Sequence, residues 1–168
     1  MADFEPAVQL TLQNEGGFFH NPVTGEVVNY GITLAFASGC GYCGATDIDF
    51  IKNLTLAGAV EIYDKHFWQP NNFGCINAQI VANKAFDLTV NMGPGALTLL
   101  QRAVCDCGRD CSIDGIIGPE SLACINALNP PALLAAYRAR AKARYEQVVA
   151  ENPKLAPNLP GWLARLAK

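Results

Sequence analysis

Apolar residues return at helical spacing along most of this chain. Phe4, Ala7, Val8, Leu10 and Leu12 mark one stripe and predict a short helix over residues 4–14. Asp3 is its candidate N-cap, and Pro6 is tolerated in its first turn. The helical period lapses over residues 18–31. There Val23-Thr24-Gly25-Glu26-Val27-Val28 reads as a turn with a short strand, a small hairpin or flap. Residues 32–39 hold one or two helical turns, and the glycine- and cysteine-rich stretch 38–53 reads as a stapled loop. Leu56, Ala59, Val60, Tyr63 and Phe67 predict a helix over 55–68, ended by Pro70. Residues 77–91 form a strongly apolar helix central to the core. Gly93-Pro94-Gly95 breaks the chain before a helix over 95–105. A cysteine-rich turn leads to Gly118, and Pro119 opens a helix over 119–127. Asn129 caps the next helix, with Leu133, Leu134, Tyr137, Ala141, Tyr145 and Val148 on its inner face. Residues 152–160 hold three prolines and read as a loop, and Trp162–Ala167 as a short closing helix. The fold class predicted is mainly α with a flap near residues 18–31. No linker or repeat divides the chain, so residues 1–168 form one domain, with lobes 1–92 and 93–168.

One residue stands out chemically. Glu15 follows the first helix and precedes Gly16-Gly17-Phe18-Phe19. Glycine ends helices because it takes left-handed conformations cheaply, which places Glu15 at a helix C-terminus. The helix dipole there disfavours negative charge, and Phe18 and Phe19 are near enough to exclude water. Both features favour a protonated carboxyl, the form a general acid needs. A solvated surface glutamate is the competing reading.

The run Glu15-Gly16-Gly17-Phe18, followed by Asn29-Tyr30-Gly31-Ile32-Thr33, resembles the N-terminal signature of the family-108 glycoside hydrolases, peptidoglycan N-acetylmuramidases of lysozyme-like fold. Further matches follow in order. They are Ile62-Tyr63 with Phe67-Trp68, Phe86-Asp87-Leu88-Thr89-Val90-Asn91-Met92-Gly93, Ala96 with Leu100-Gln101, Asp114-Gly115-Ile116-Ile117-Gly118-Pro119, and Gly161-Trp162-Leu163-Ala164-Arg165. The resemblance implies that Glu15 is the essential catalytic residue. It also implies that the segment from about Gly93 onward is a peptidoglycan-binding-like second lobe. The family often carries an aspartate and paired glycines where this chain reads Asn21 to Val28, and Glu26 stands as the candidate substitute.

Glycosidic cleavage needs a proton donor and a water or carboxylate on the opposite ring face. Glu15 is the donor, Glu26 the candidate partner across the cleft, and Thr33 with Tyr30 candidates to hold the water. Asp47 and Asp49 read as caps or loop acids, and Asp87 as a satisfied buried acid. Tyr30, Phe73, Asn91 and Gln101 are candidate substrate-binding residues. A helix-end cap is the competing reading for Asn91. Trp68 and Trp162 read as core anchors.

Composition and charge narrow the classes. Half of the 168 residues are hydrophobic, enough for a sizeable core. No apolar run spans a bilayer, and Met1-Ala2-Asp3-Phe4-Glu5 is acidic, unlike a secretory signal peptide. The net charge of −3 divides unevenly, with seven of the twelve basic residues but two of the fifteen acids in residues 138–168. That tail is a solvated helix face or an attractor for an anionic wall polymer. Overall acidity opposes nucleic-acid binding. No cofactor is implied. Phosphate loop, nucleotide fingerprint and nucleophile elbow are missing, and Asp114-Gly115 lacks the ligand run of a calcium loop.

The seven cysteines, Cys40, Cys43, Cys75, Cys105, Cys107, Cys111 and Cys124, allow two readings. Disulfides are favoured, with a bridge inside 105–111 and another anchoring Cys75 or Cys124. A structural zinc site on Cys40 and Cys43, or on Cys105, Cys107 and Cys111, is the second. Oxidisable cysteines without a leader suggest action in a target-cell periplasm or cell wall after non-classical export. An endolysin or antibacterial effector fits, with peptidoglycan glycan strands as substrate and an immunity or inhibitor protein as partner. The alternatives are an N-acetylglucosaminidase on the same fold and a non-catalytic wall-binding or secretion-accessory protein.

Overall fold

A computed structural model describes residues 1–168. Its element order is α1 (Phe4–Leu12), β1 (Phe19–His20), β2 (Val27–Asn29), β3 (Ile32–Thr33), α2 (Leu34–Gly39), α3 (Ile48–Lys52) and α4 (Leu56–Tyr63). There follow α5 (Gln79–Met92), α6 (Gly95–Asp106), α7 (Pro119–Asn126), α8 (Pro130–Glu151) and α9 (Leu159–Ala167). The fold is mainly α, as expected, with one small antiparallel sheet in the order β1-β2-β3. Phe19 faces Val28, and Asn29 faces Ile32. The flap thus reaches Thr33, because Tyr30 and Gly31 form a tight turn with φ of 50° and 77°.

α1 packs along α5. Phe4 meets Phe86 edge-on at 5.8 Å and Trp68 at 5.5 Å. Asp3 starts α1 without a side-chain cap. Its backbone N–H and C=O are instead answered by the Gln79 amide at 2.7 and 2.8 Å. α4 runs on as one wider π-turn over Asp64–Trp68, which swings Trp68 into the core. Asn129 caps α8 as expected, accepting from the Ala132 N–H at 3.1 Å. Leu133, Tyr137, Ala141 and Tyr145 are its buried face. The proline-rich stretch read as a loop is a 3-10 segment, Pro153–Asn158, that feeds straight into α9. One core cluster of 32 buried residues runs from Ala2 through α5 and α6 to Leu166, so the two ends of the chain share a single interior.

The expected cysteine staples are not formed. All seven thiols are free. Some are directed at other groups: Cys105 donates to the Cys111 carbonyl at 3.5 Å and Cys124 to the Asp110 carbonyl at 3.2 Å. Burial pushes the Cys111 thiol up. The loop read as stapled contains α3, capped by the Asp47 carboxylate on the Phe50 N–H. The zinc reading fares no better, since no three His, Cys, Asp or Glu side chains are gathered for a metal.

Candidate active site

α1 ends at Leu12, and three residues later Glu15 turns into a polar groove of about 580 Å³. The groove runs between the turn after α1, the end of α5 and the length of α9. Gln13, Asn14, Asn91, Asn158, Trp162 and Lys168 are among its walls. Glu15 is its one carboxylate.

Two elements flank that carboxylate. Arg165 of α9 places Nη1 2.9 Å from Glu15 Oε1. On the other side lies Gly31, where an added Cβ would stand 2.8 Å from Oε2 and collide with the Tyr63 hydroxyl. Only glycine fits, for its positive φ and for this close approach. The turn is itself pinned. Tyr63 donates its hydroxyl to the Tyr30 carbonyl at 2.8 Å, and the Tyr30 N–H donates to the Gly16 carbonyl at 3.1 Å. Burial, then the Glu15 charge, pushes the Tyr63 phenol up, so its proton stays in place.

Arg165 is anchored from beneath. Asp87, fully buried on α5, accepts from Arg165 Nε at 2.9 Å, from Asn14 at 3.2 Å and from Thr11 at 3.4 Å. Lys84, one turn away, approaches the second Asp87 oxygen to 3.7 Å and donates to the Arg165 carbonyl at 2.8 Å. Burial opposes the Arg165 charge, but Asp87, and less strongly Glu15, outweigh it and hold the guanidinium above its usual range. Burial pulls Lys84 down, against the pull of Asp87.

The sequence-predicted residues divide. Asn91 lines the groove, its Oδ1 accepting from the Tyr145 hydroxyl at 2.6 Å. Tyr30 reaches the site through its backbone, while its ring packs on the core. Glu26 and Thr33 line a different, larger groove of about 710 Å³ and share no wall with Glu15. Thr33 is occupied there as the cap of α2, accepting from the Phe36 N–H at 3.1 Å. That larger groove has one carboxylate, no cation and no aromatic or amide side chain, a poor lining for sugars. Phe73 is no substrate residue. It is fully buried, edge-on to Trp68 and Phe86. Gln101 is buried too, its amide bonded to Asp114, Ser121 and the Ile116 carbonyl, its carbonyl to the Gly115 N–H. It braces a turn in the second lobe. Phe18 and Phe19 are 42 % and 52 % exposed and give Glu15 no dry wall. Trp162, read as a core anchor, is half-buried and lines the groove, stacked on Tyr145 at 5.0 Å.

Arg165 itself was missed. Its signal was one charge on the otherwise apolar face of Trp162, Leu163 and Leu166, where a buried cation demands a buried partner.

A lone carboxylate in a groove of amides and an indole, paired with an arginine that lines the same groove, is the layout of a glycan-cleaving hydrolase on a lysozyme-like helical fold. Comparison with known families agrees. Residues 8–93 match glycosyl hydrolase 108 and residues 95–167 match a predicted peptidoglycan domain. The chain therefore belongs to glycosyl hydrolase family 108, as a glycoside hydrolase acting on peptidoglycan. Among solved structures it is similar to that of Brucella abortus SagA, with a TM-score of 0.79 and 25 % identity, over 98 % of this chain and 89 % of that one. No curated protein sequence matches.

Proposed function

We propose that this peptidoglycan hydrolase is a muramidase that cleaves the β-1,4 glycan backbone with Glu15 as general acid. The observation that carries the reading is the placement of Glu15 between Gly31 and Arg165, facing the amide-lined groove. Glu15 hands its proton to the leaving oxygen of the bridge as the bond from that oxygen to the anomeric carbon breaks, and a water then adds to that carbon and gives up a proton that restores Glu15. As the proton departs, the new carboxylate lies against the Arg165 guanidinium. That contact stabilises the carboxylate that the departing proton leaves behind. Asp87 answers the guanidinium from below, so Arg165 is held ready whichever form Glu15 takes. Asn91, Asn14, Asn158 and Trp162 offer amide and aromatic contacts to the sugars.

Glu15→Gln keeps the shape and removes the acid. Lysis of purified sacculi should fall by at least about a hundredfold, the low end for losing a general acid. The melting curve should stay close to the parent's. A mutant that clears sacculi as fast as the parent refutes the role. Mass spectrometry of the fragments assigns the bond: muramic acid at the new reducing end supports the muramidase, and N-acetylglucosamine there the glucosaminidase.

A further inference from the structure

The groove that holds Glu15 does not stop at Trp162. Asn91 and Trp162 also line a slot of about 170 Å³ with Met92, Arg144, Tyr145 and Val148. Met92 and Arg144 in turn line a hollow of about 180 Å³ with Gly95, Thr98 and Leu99. Three concavities therefore run end to end from Glu15, past the junction of α5 and α6, to α8.

The chemistry changes along this path. Amides dominate beside Glu15, and apolar walls follow in the slot. The near wall is fixed, with Trp162 stacked on Tyr145 at an interplanar angle of 19° and the Tyr145 hydroxyl bonded to Asn91. Arg144, at the far end, differs from Arg140 one turn before it. Arg140 is occupied by a two-pronged pair with Asp106, Nε donating at 2.6 Å. Arg144 makes no hydrogen bond within the protein, and its nearest carboxylate, Glu151, is 3.8 Å away. Its side chain lines both the slot and the hollow.

A peptidoglycan strand is not a bare polysaccharide. Every second sugar carries a short acidic peptide, joined through a lactyl ether and projecting sideways. We propose that the slot and hollow beyond Trp162 receive this peptide stem, with Arg144 binding one of its carboxylates. The proposal rests on the peptidoglycan reading of the Glu15 groove. Guanidinium and carboxylate match as a planar, two-pronged pair. Met92 and Val148 offer an adaptable apolar surface to the small side chains of such a stem. The excess of basic over acidic residues across 138–168 gives the attraction its sign.

The test compares two substrates and one variant. Glycan strands with their stems, and strands stripped by an amidase that leaves the lactyl carboxylate, are each offered to the parent and to Arg144→Gln. The parent should show a KM roughly tenfold lower on stem-bearing strands, about what one accessible charge-assisted contact supplies. Arg144→Gln should raise that KM to the value for stripped strands and leave kcat within twofold. On stripped strands the variant should match the parent. Equal KM values for the parent on both substrates would overturn the proposal. So would an equal loss by the variant on both, which would put the contact on the lactyl group or the sugar. Direct binding of soluble stem-bearing and stripped glycan strands to parent and Arg144→Gln, each in a Glu15→Gln background, reads stem recognition without turnover. A parent that cleaves neither substrate refutes the muramidase reading, and the binding measurement still decides the stem site by the same comparison.

Discussion

Arg165 holds two carboxylates on one guanidinium, and they differ in kind. Asp87 is wholly buried, with one oxygen lacking any hydrogen bond, whereas Glu15 is 18 % exposed at the groove. Breaking a buried pair from one side strands the other charge. Arg165→Met should cost about 3 kcal/mol of stability, seen in a urea titration, since Lys84 can answer only part of the Asp87 charge. Adding Asp87→Leu should recover most of that loss without recovering lysis. Recovery of both would reduce Arg165 to a packing role. Gly31 is the second demanding residue. Gly31→Ala adds a methyl at positive φ against Tyr63 and Glu15, and should cost about 2–3 kcal/mol. Sacculus clearance should drop sharply even where the variant stays folded, because the methyl displaces the acid.

The helices were legible because their spacing is local. Ala59 and Tyr63 are buried on α4 as its stripe in the sequence predicts, although Leu56 is exposed and Ile62 takes its place, and Asn129 caps α8 where its side chain foretells it. The π-turn at Asp64–Trp68 was not legible. A helical period carries no mark of one extra residue in the turn, and it is the packing of Trp68 against Phe4, Phe73 and Phe86 that goes with it. The site was readable in halves. Glu15 and Asn91 sit in recognisable short motifs, but Arg165 meets Glu15 only through the fold. Phe73 and Gln101 have the side chains that sugars favour. Their burial comes from neighbours distant in sequence, which composition does not reveal. The cysteines misled for a related reason. Spacing suggested pairs, while carbonyl and hydroxyl groups around α6 and α7 take up the thiols instead.

At the scale of the whole molecule, one interior serves both lobes, and its tyrosines make it sensitive to alkali. Burial pushes the Tyr145 phenol up from its ordinary 10.0 to about 12, and Tyr63 and Tyr137 move the same way. A phenol raised in the folded state stabilises fully below its unfolded value and loses that contribution as pH rises through the folded one. The melting temperature should therefore fall steadily from pH 10 to about 12, with the phenolate ultraviolet band of Tyr145 rising late in that window. A band complete near pH 10 with unchanged stability would contradict the buried positions of these rings. The pairing of Glu15 with Arg165, and of Asn14 with Lys168 at 2.6 Å, also has a temporal side. A ribosome delivers the acid early and its cation some 150 residues later. A nascent or truncated chain lacking the last helix therefore carries the acid but not its clamp.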